Sequence, residues 1–138
     1  MSINLDDYES LCGKNQKRIR SKDRRSPCSH MAVNELEHNV RQYKIDGIVI
    51  TEGNKCDFLV INDELRHAYL IELKSSKVPK ATVQTNETYN KIHGSLPNYT
   101  FYFRIVYKGA NTHNVRSKEV IKWLERHGKS KDGIPGAI

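Results

Sequence analysis

The chain has 138 residues and carries 23 Lys and Arg against 16 Asp and Glu, a formal net charge of +7. That length suits one domain around a single core, and the basic balance favours polyanionic partners such as nucleic acid. No stretch approaches the roughly 18 apolar residues that a membrane helix needs, and no apolar leader stands near the start. Three cysteines, Cys12, Cys28 and Cys56, form no C-x-x-C pair and leave one unpaired in any bridging scheme. The pattern argues against a disulfide scaffold and supports no membrane span, and a reducing, cytoplasmic setting is expected.

Residues 1–30 are expected as a basic N-terminal arm. An acidic patch (Asp6, Asp7, Glu9) precedes Lys14, Lys17, Arg18, Arg20, Lys22, Arg24 and Arg25, which stand against the single Asp23. Such a run is either a phosphate-binding arm that orders on its ligand or a solvated tail. Cys28 and His30, with Cys12 upstream, raise the question of zinc, but the spacing fits no common zinc motif and a fourth ligand is not evident. From Met31 to Lys44, Val33, Leu36, Val40 and Tyr43 recur at helical intervals, which predicts an amphipathic helix with Glu37 bordering its buried stripe and Glu35 on the opposite flank. Ile45 to Ile50 is a β-branched run broken by Gly47 and predicts a strand.

Two apolar runs, Phe58 to Ile61 and Ala68 to Leu73, flank the turn-like Asn62-Asp63-Glu64 and predict a hairpin. Side chains alternate along a strand, so Leu70, Glu72 and Lys74 share one face of the second run, and Tyr69, Ile71 and Leu73 share the other. Asp57 opens the first run and so falls near the end of the second, where Glu72 and Lys74 sit. A bare ion pair in a sheet gains little after desolvation, so this convergence suits a hard-cation site better than a structural bridge. Beyond Ser75-Ser76, Pro79 fits the first turn of a helix running to about His93. Val78, Ala81, Thr85, Tyr89 and Ile92 form its inward stripe, Gln84 lies on a flank, and Gly94 and Pro97 stop it. Tyr99 to Tyr107 predicts a strand; Ser117 caps a last helix ending near Gly128, and residues 129–138 read as a flexible tail. The order is α-β-β-β-α-β-α, an α/β domain over residues 31–128.

Asp57 followed by Glu72-Leu73-Lys74 resembles the signature of the PD-(D/E)xK nuclease superfamily, although no proline precedes the aspartate. The resemblance implies a restriction-endonuclease-like core, a mixed central sheet flanked by helices, close to the Holliday-junction-resolvase-like or RecB-like branch. It implies Mg²⁺ or Mn²⁺ held by Asp57, Glu72 and the backbone carbonyl of Leu73, with Lys74 beside the attacking water. Glu37 would be the further acid from the first helix. Gln84 followed by Tyr89 resembles the glutamine-and-tyrosine helix of the RecB-like branch, with one residue more between them. The implied activity is metal-dependent endonucleolytic cleavage of DNA, recognised by structure or backbone. Lys17, Arg18, Arg20, Arg24, Arg25, Lys77 and Lys80 would contact phosphates, and a homodimer is an allowed assembly. The alternatives are a non-catalytic nucleic-acid-binding subunit on the same fold and an α/β scaffold in which Asp57, Glu72 and Lys74 form a structural ion network.

Overall fold

The computed structural model describes residues 3–24, 28–53, 55–74 and 78–107. The expected last helix and tail, together with Arg25 and Lys77, lie outside the described residues. In chain order the elements are β1 (Arg18–Lys22), β2 (Ser29–Val33), β3 (Val40–Lys44), β4 (Phe58–Asn62), β5 (His67–Lys74), α1 (Val78–Ile92) and β6 (Thr100–Tyr107). β1 and β2 form a two-stranded antiparallel ribbon, and the other strands form a sheet in the order β3-β4-β5-β6. β3, β4 and β5 are an antiparallel meander, whereas β6 runs parallel to β5. Parallel neighbours need a crossover, which α1 supplies. The class is α/β with a mixed sheet, as expected, but among the described residues it contains one α-helix.

The β4–β5 turn shows why this segment folds locally. Asn62 Oδ1 accepts from the N–H groups of Glu64 and Leu65 at 3.0 and 2.9 Å, and Arg66 adopts φ 57° to reverse the chain. That turn fixes the register, Phe58 opposite Ile71 through Asn62 opposite His67. Alternation then assigns the faces. Leu59, Ile61, Ala68, Leu70, Phe103 and Ile105 pack with Ala81 and Ile92 of α1. On the other face, Val40, Phe58, Val60, Tyr69, Ile71 and Leu73 pack with Ile19, Cys28 and Ala32 of the ribbon segment. Two apolar interfaces therefore hold three layers: ribbon, sheet and helix. Gln42 crosses the ribbon interface, donating from Nε2 to Arg20 O at 2.8 Å and Ser21 Oγ at 3.0 Å, so its burial leaves the amide N–H group partnered. The chain before β1 covers the outer edge of β3 through Leu11 N–H to Gln42 O and Val40 N–H to Lys14 O, 2.8 and 2.7 Å.

Two expectations are corrected here. Residues 31–44 form no helix. They contain the end of β2, a turn and β3, and two members of the supposed buried stripe, Val33 and Leu36, are 48% and 77% exposed. The turn is set by Asn34, whose side chain donates to Gln16 O and His38 O and accepts from the His38 N–H. Glu37 takes φ 51°, a left-handed conformation that no helix interior contains. Likewise, Ile45–Ile50 is a turn bridged between Asp46 and Ile50, with Gly47 at φ 85°. Ile45, Val49 and Ile50 are nonetheless buried, and they plug the helix-side core. The strand preceding the signature hairpin is instead Val40–Lys44. Within the basic segment, Arg18–Lys22 is strand: β1 has Ile19 and Ser21 buried between exposed Arg18, Arg20 and Lys22.

Candidate functional site

Extending the hairpin register one residue past Phe58–Ile71 sets Asp57 opposite Glu72, on the face that carries α1. Both are buried, at 8% and 1% exposure. The main chain holds Asp57 firmly: its N–H donates to Ile71 O at 3.1 Å and its carbonyl accepts from Ile45 N–H at 2.9 Å. On the side chain, Oδ2 accepts from the Leu73 N–H at 2.8 Å. Glu72 is the strand neighbour of Asp57, and a side-chain hydrogen bond with it is among the influences that lower the Asp57 pKa. Such a bond needs a proton on one of them, because two carboxylates in contact cannot both stay ionised without a counter-charge.

Burial pushes the Asp57 carboxyl above its ordinary value, against the opposing effects of the Leu73 N–H and the Glu72 bond; repulsion from Asp23 and Asp46 adds to the rise. A group whose folded-state pKa lies above its unfolded value contributes stability below the unfolded value and loses it as pH rises through the folded one. The metal-free protein is therefore expected to lose stability as pH climbs from about 3.8 through the raised value, and Asp57→Asn should flatten that part of the profile. Urea denaturation across pH in chelator checks this; superimposable wild-type and variant profiles would show that Asp57 ionises without cost.

The helix clamps the segment entering the site. Thr88 Oγ1 accepts from the Cys56 N–H at 2.8 Å and donates to Gln84 O at 2.8 Å, while Gln84 Nε2 donates to Lys55 O at 3.3 Å. Gln84 Oε1 is buried with no hydrogen-bond partner among the described residues. Cys56 is fully buried, and burial, reinforced by the nearby Glu72 charge, pushes its thiol up. It stays protonated and is no nucleophile.

The structure sets Asp57 opposite Glu72 with the Leu73 N–H on Asp57, while Gln84 reaches the Lys55 carbonyl, two residues before Asp57. Lys74 closes β5 in register with Tyr107, and Lys80 lies in the first turn of α1. Glu37 is not brought to the pair. It sits on the β2–β3 turn, beside the β3 end where Val40 faces Asn62, whereas Asp57 adjoins the opposite end, where Lys44 faces Phe58. Four strand residues at ~3.3 Å each put it roughly 13 Å or more away. Tyr89 packs against His93, Phe101 and Phe103, a core role. Cys12, Cys28 and His30 do not assemble a metal group: among the described residues no three His, Cys, Asp or Glu side chains do. Lys17, Arg18, Arg20 and Arg24 are exposed.

Sequence reasoning missed Asp23 and Asp46, whose charges bear on Asp57. Asp23 pairs with Lys44 at 3.6 Å and Asp46 with Lys55 at 3.8 Å. Asp23, Arg24, Lys44, Asp46 and Gly47 line a cleft of about 370 Å³. Only the long-range packing of the ribbon on the sheet places Asp23 there, and no local pattern signals it. Comparison with known proteins gives no matching family model, no matching curated protein and no matching solved structure. Among the described residues no helix is long and apolar enough to cross a membrane.

Proposed function

We propose that the chain is a metal-dependent nuclease that hydrolyses phosphodiester bonds of DNA on a restriction-endonuclease-like core. The observation that carries this is the burial of two carboxyls, Asp57 and Glu72, which the strand register sets opposite each other, with the Leu73 N–H bound to Asp57. The donor set fits Mg²⁺ or Mn²⁺: hard oxygen ligands, with only one or two carboxylates needed because such ions keep several waters. Asp57, Glu72 and the Leu73 carbonyl would hold the ion. When bound, it supplies Lewis acidity toward a phosphate oxygen and a water of lowered pKa.

The chain's own residues do the rest. Lys74 orients the water and offsets negative charge growing on the phosphorane. Gln84 Oε1, an acceptor with capacity left over, fixes a proton of a water at the pair. Lys80 contacts the backbone of the substrate. The succession of meander, crossover helix and parallel strand supports the core, with the ribbon standing where a first helix was expected. Near-complete burial of Glu72 favours a second reading, a scaffold whose carboxyl pair shares a proton for good.

One assay separates the two. Plasmid, single-stranded DNA, branched DNA and RNA are incubated with the protein in Mg²⁺, Mn²⁺ or chelator, and thermal melting is followed in the same buffers. The nuclease cuts DNA only with metal, and metal raises its melting temperature at neutral pH because the ionised pair gains a counter-charge. A protein indifferent to metal in both measurements is the scaffold.

A further inference from the structure

The outer face of the β1–β2 ribbon has a definite chemistry. Its register sets Arg18 opposite Val33, Arg20 opposite Met31 and Lys22 opposite Ser29. Residues directly opposite share a face, so Arg18, Arg20 and Lys22 form a row on one strand beside Val33 and Met31 on the other. Ile19, Ser21, His30 and Ala32 alternate inward and are buried. The outward residues are exposed, Met31 by 44% and Val33 by 48%. None of the ion pairs among the described residues uses Arg18 or Arg20. A row of two guanidinium groups and an ammonium on one ribbon face is costly in self-repulsion and is matched by a linear polyanion.

The row also points somewhere. β1 runs from Arg18 to Lys22, and the next residue, Asp23, pairs with Lys44 at 3.6 Å. The neighbour of Lys44, Ile45, donates its N–H to the Asp57 carbonyl at 2.9 Å. The basic strand therefore ends at the same end of the sheet as the carboxylate pair, though across the sheet from it, with Lys22 nearer that end and Arg18 farther away.

We propose that the outer face of the β1–β2 ribbon is a preformed docking surface for duplex DNA, its row of Arg18, Arg20 and Lys22 on phosphates and Met31 and Val33 against the groove. This rests on the nuclease reading for its purpose, though not for its chemistry. Duplex is favoured over single strand for two reasons. The outward positions of both strands, Arg18, Arg20, Lys22, Ser29, Met31 and Val33, include no aromatic side chain, whereas unpaired bases are held by stacking on such rings. A two-stranded ribbon is also one of the elements that the major groove admits.

The test measures binding of the full chain in chelator, where no cleavage occurs, to a fluorescent 20-base-pair duplex and to the corresponding single strand over a range of salt. Arg18→Glu/Arg20→Glu should weaken duplex binding on the order of tenfold or more at low salt and reduce the slope of log affinity against log salt by about 2. Arg66→Glu/Lys91→Glu makes the same charge change at exposed sites off the ribbon and should leave the slope close to wild type. Arg18→Lys/Arg20→Lys should keep most of the affinity, and melting confirms that each variant folds. Equal losses in the two glutamate variants would overturn the proposal, since net charge alone would then explain binding. A single strand bound as tightly as duplex, and lost equally on substitution, would overturn the choice of duplex. Failure of the nuclease reading looks different: no metal-dependent cutting by a wild-type protein whose duplex binding still depends on Arg18 and Arg20.

Discussion

Asp57→Asn is expected to cut DNA at a rate lower by on the order of 10²–10³ or more, while binding duplex as well as the wild type or better. The amide keeps an oxygen to accept the Leu73 N–H, which Asp57 Oδ2 now accepts at 2.8 Å, so the backbone of the strand ends need not move. What it removes is an ionisable partner for Glu72, and with it the pair's capacity to hold a divalent ion. It also removes a negative charge close to where a phosphate would lie, which is why binding should not suffer. Cleavage of plasmid in Mg²⁺ and duplex affinity in chelator, measured on the same preparation, check both halves. Wild-type cleavage by the variant would show that the pair is not the metal site.

Lys74→Arg is expected to be nearly as inactive as Lys74→Ala. Arginine keeps the charge but replaces a compact ammonium with a broad planar fork, which does not fit beside a water and a phosphate oxygen. Mn²⁺ affinity should survive in both variants, because the lysine is not assigned as a ligand. Cleavage, Mn²⁺ binding and melting together distinguish three outcomes. Loss of cleavage with metal binding and fold intact supports a catalytic lysine. Substantial cleavage by the arginine variant means that charge alone suffices, and a lysine that only clamps the backbone. Unfolding of both variants makes the cluster a structural ion network.

The parts of the fold that were legible in the sequence are those set by local rules. The Phe58 and Ala68 runs and their Asn62-Asp63 turn define the hairpin, and a period of two with a short turn is enough to place Asp57 across from Glu72. Pro79, Gly94 and Pro97 bounded the helix within a residue or two of its observed span. Illegible were the parts decided by long-range pairing. Val33, Leu36, Val40 and Tyr43 imitate a helix, and what overrides them is Asn34 closing a turn and Arg18–Lys22 arriving from upstream to pair with β2. Charge density masked that strand, although Arg18-Ile19-Arg20-Ser21-Lys22 alternates outward and inward with the period of β structure. The β-branched content of Ile45–Ile50 was real as a burial signal and misleading as a strand signal, because Gly47 turns the chain back on itself.

The division of the molecule into three layers separates two tasks that can be re-engineered independently. Both carboxylates, the amide that grips Asp57 and the helix side chains that clamp Cys56 come from one contiguous stretch, residues 55 to 88. The ribbon comes entirely from upstream and packs on the sheet through the inward Ile19, Cys28 and Ala32, with Gln42 bonded to Arg20 O and Ser21 Oγ. Arg18, Arg20, Met31 and Val33 on its outer face are exposed. A different pattern of charge could be written across Arg18, Arg20, Lys22, Met31 and Val33 while the inward set continued to cover Val40, Val60 and Tyr69. What the surface grips and what the strand ends hold are thus separately adjustable in a chain of this size, with Lys44, between Asp23 and the backbone of Asp57, as the point where the two meet.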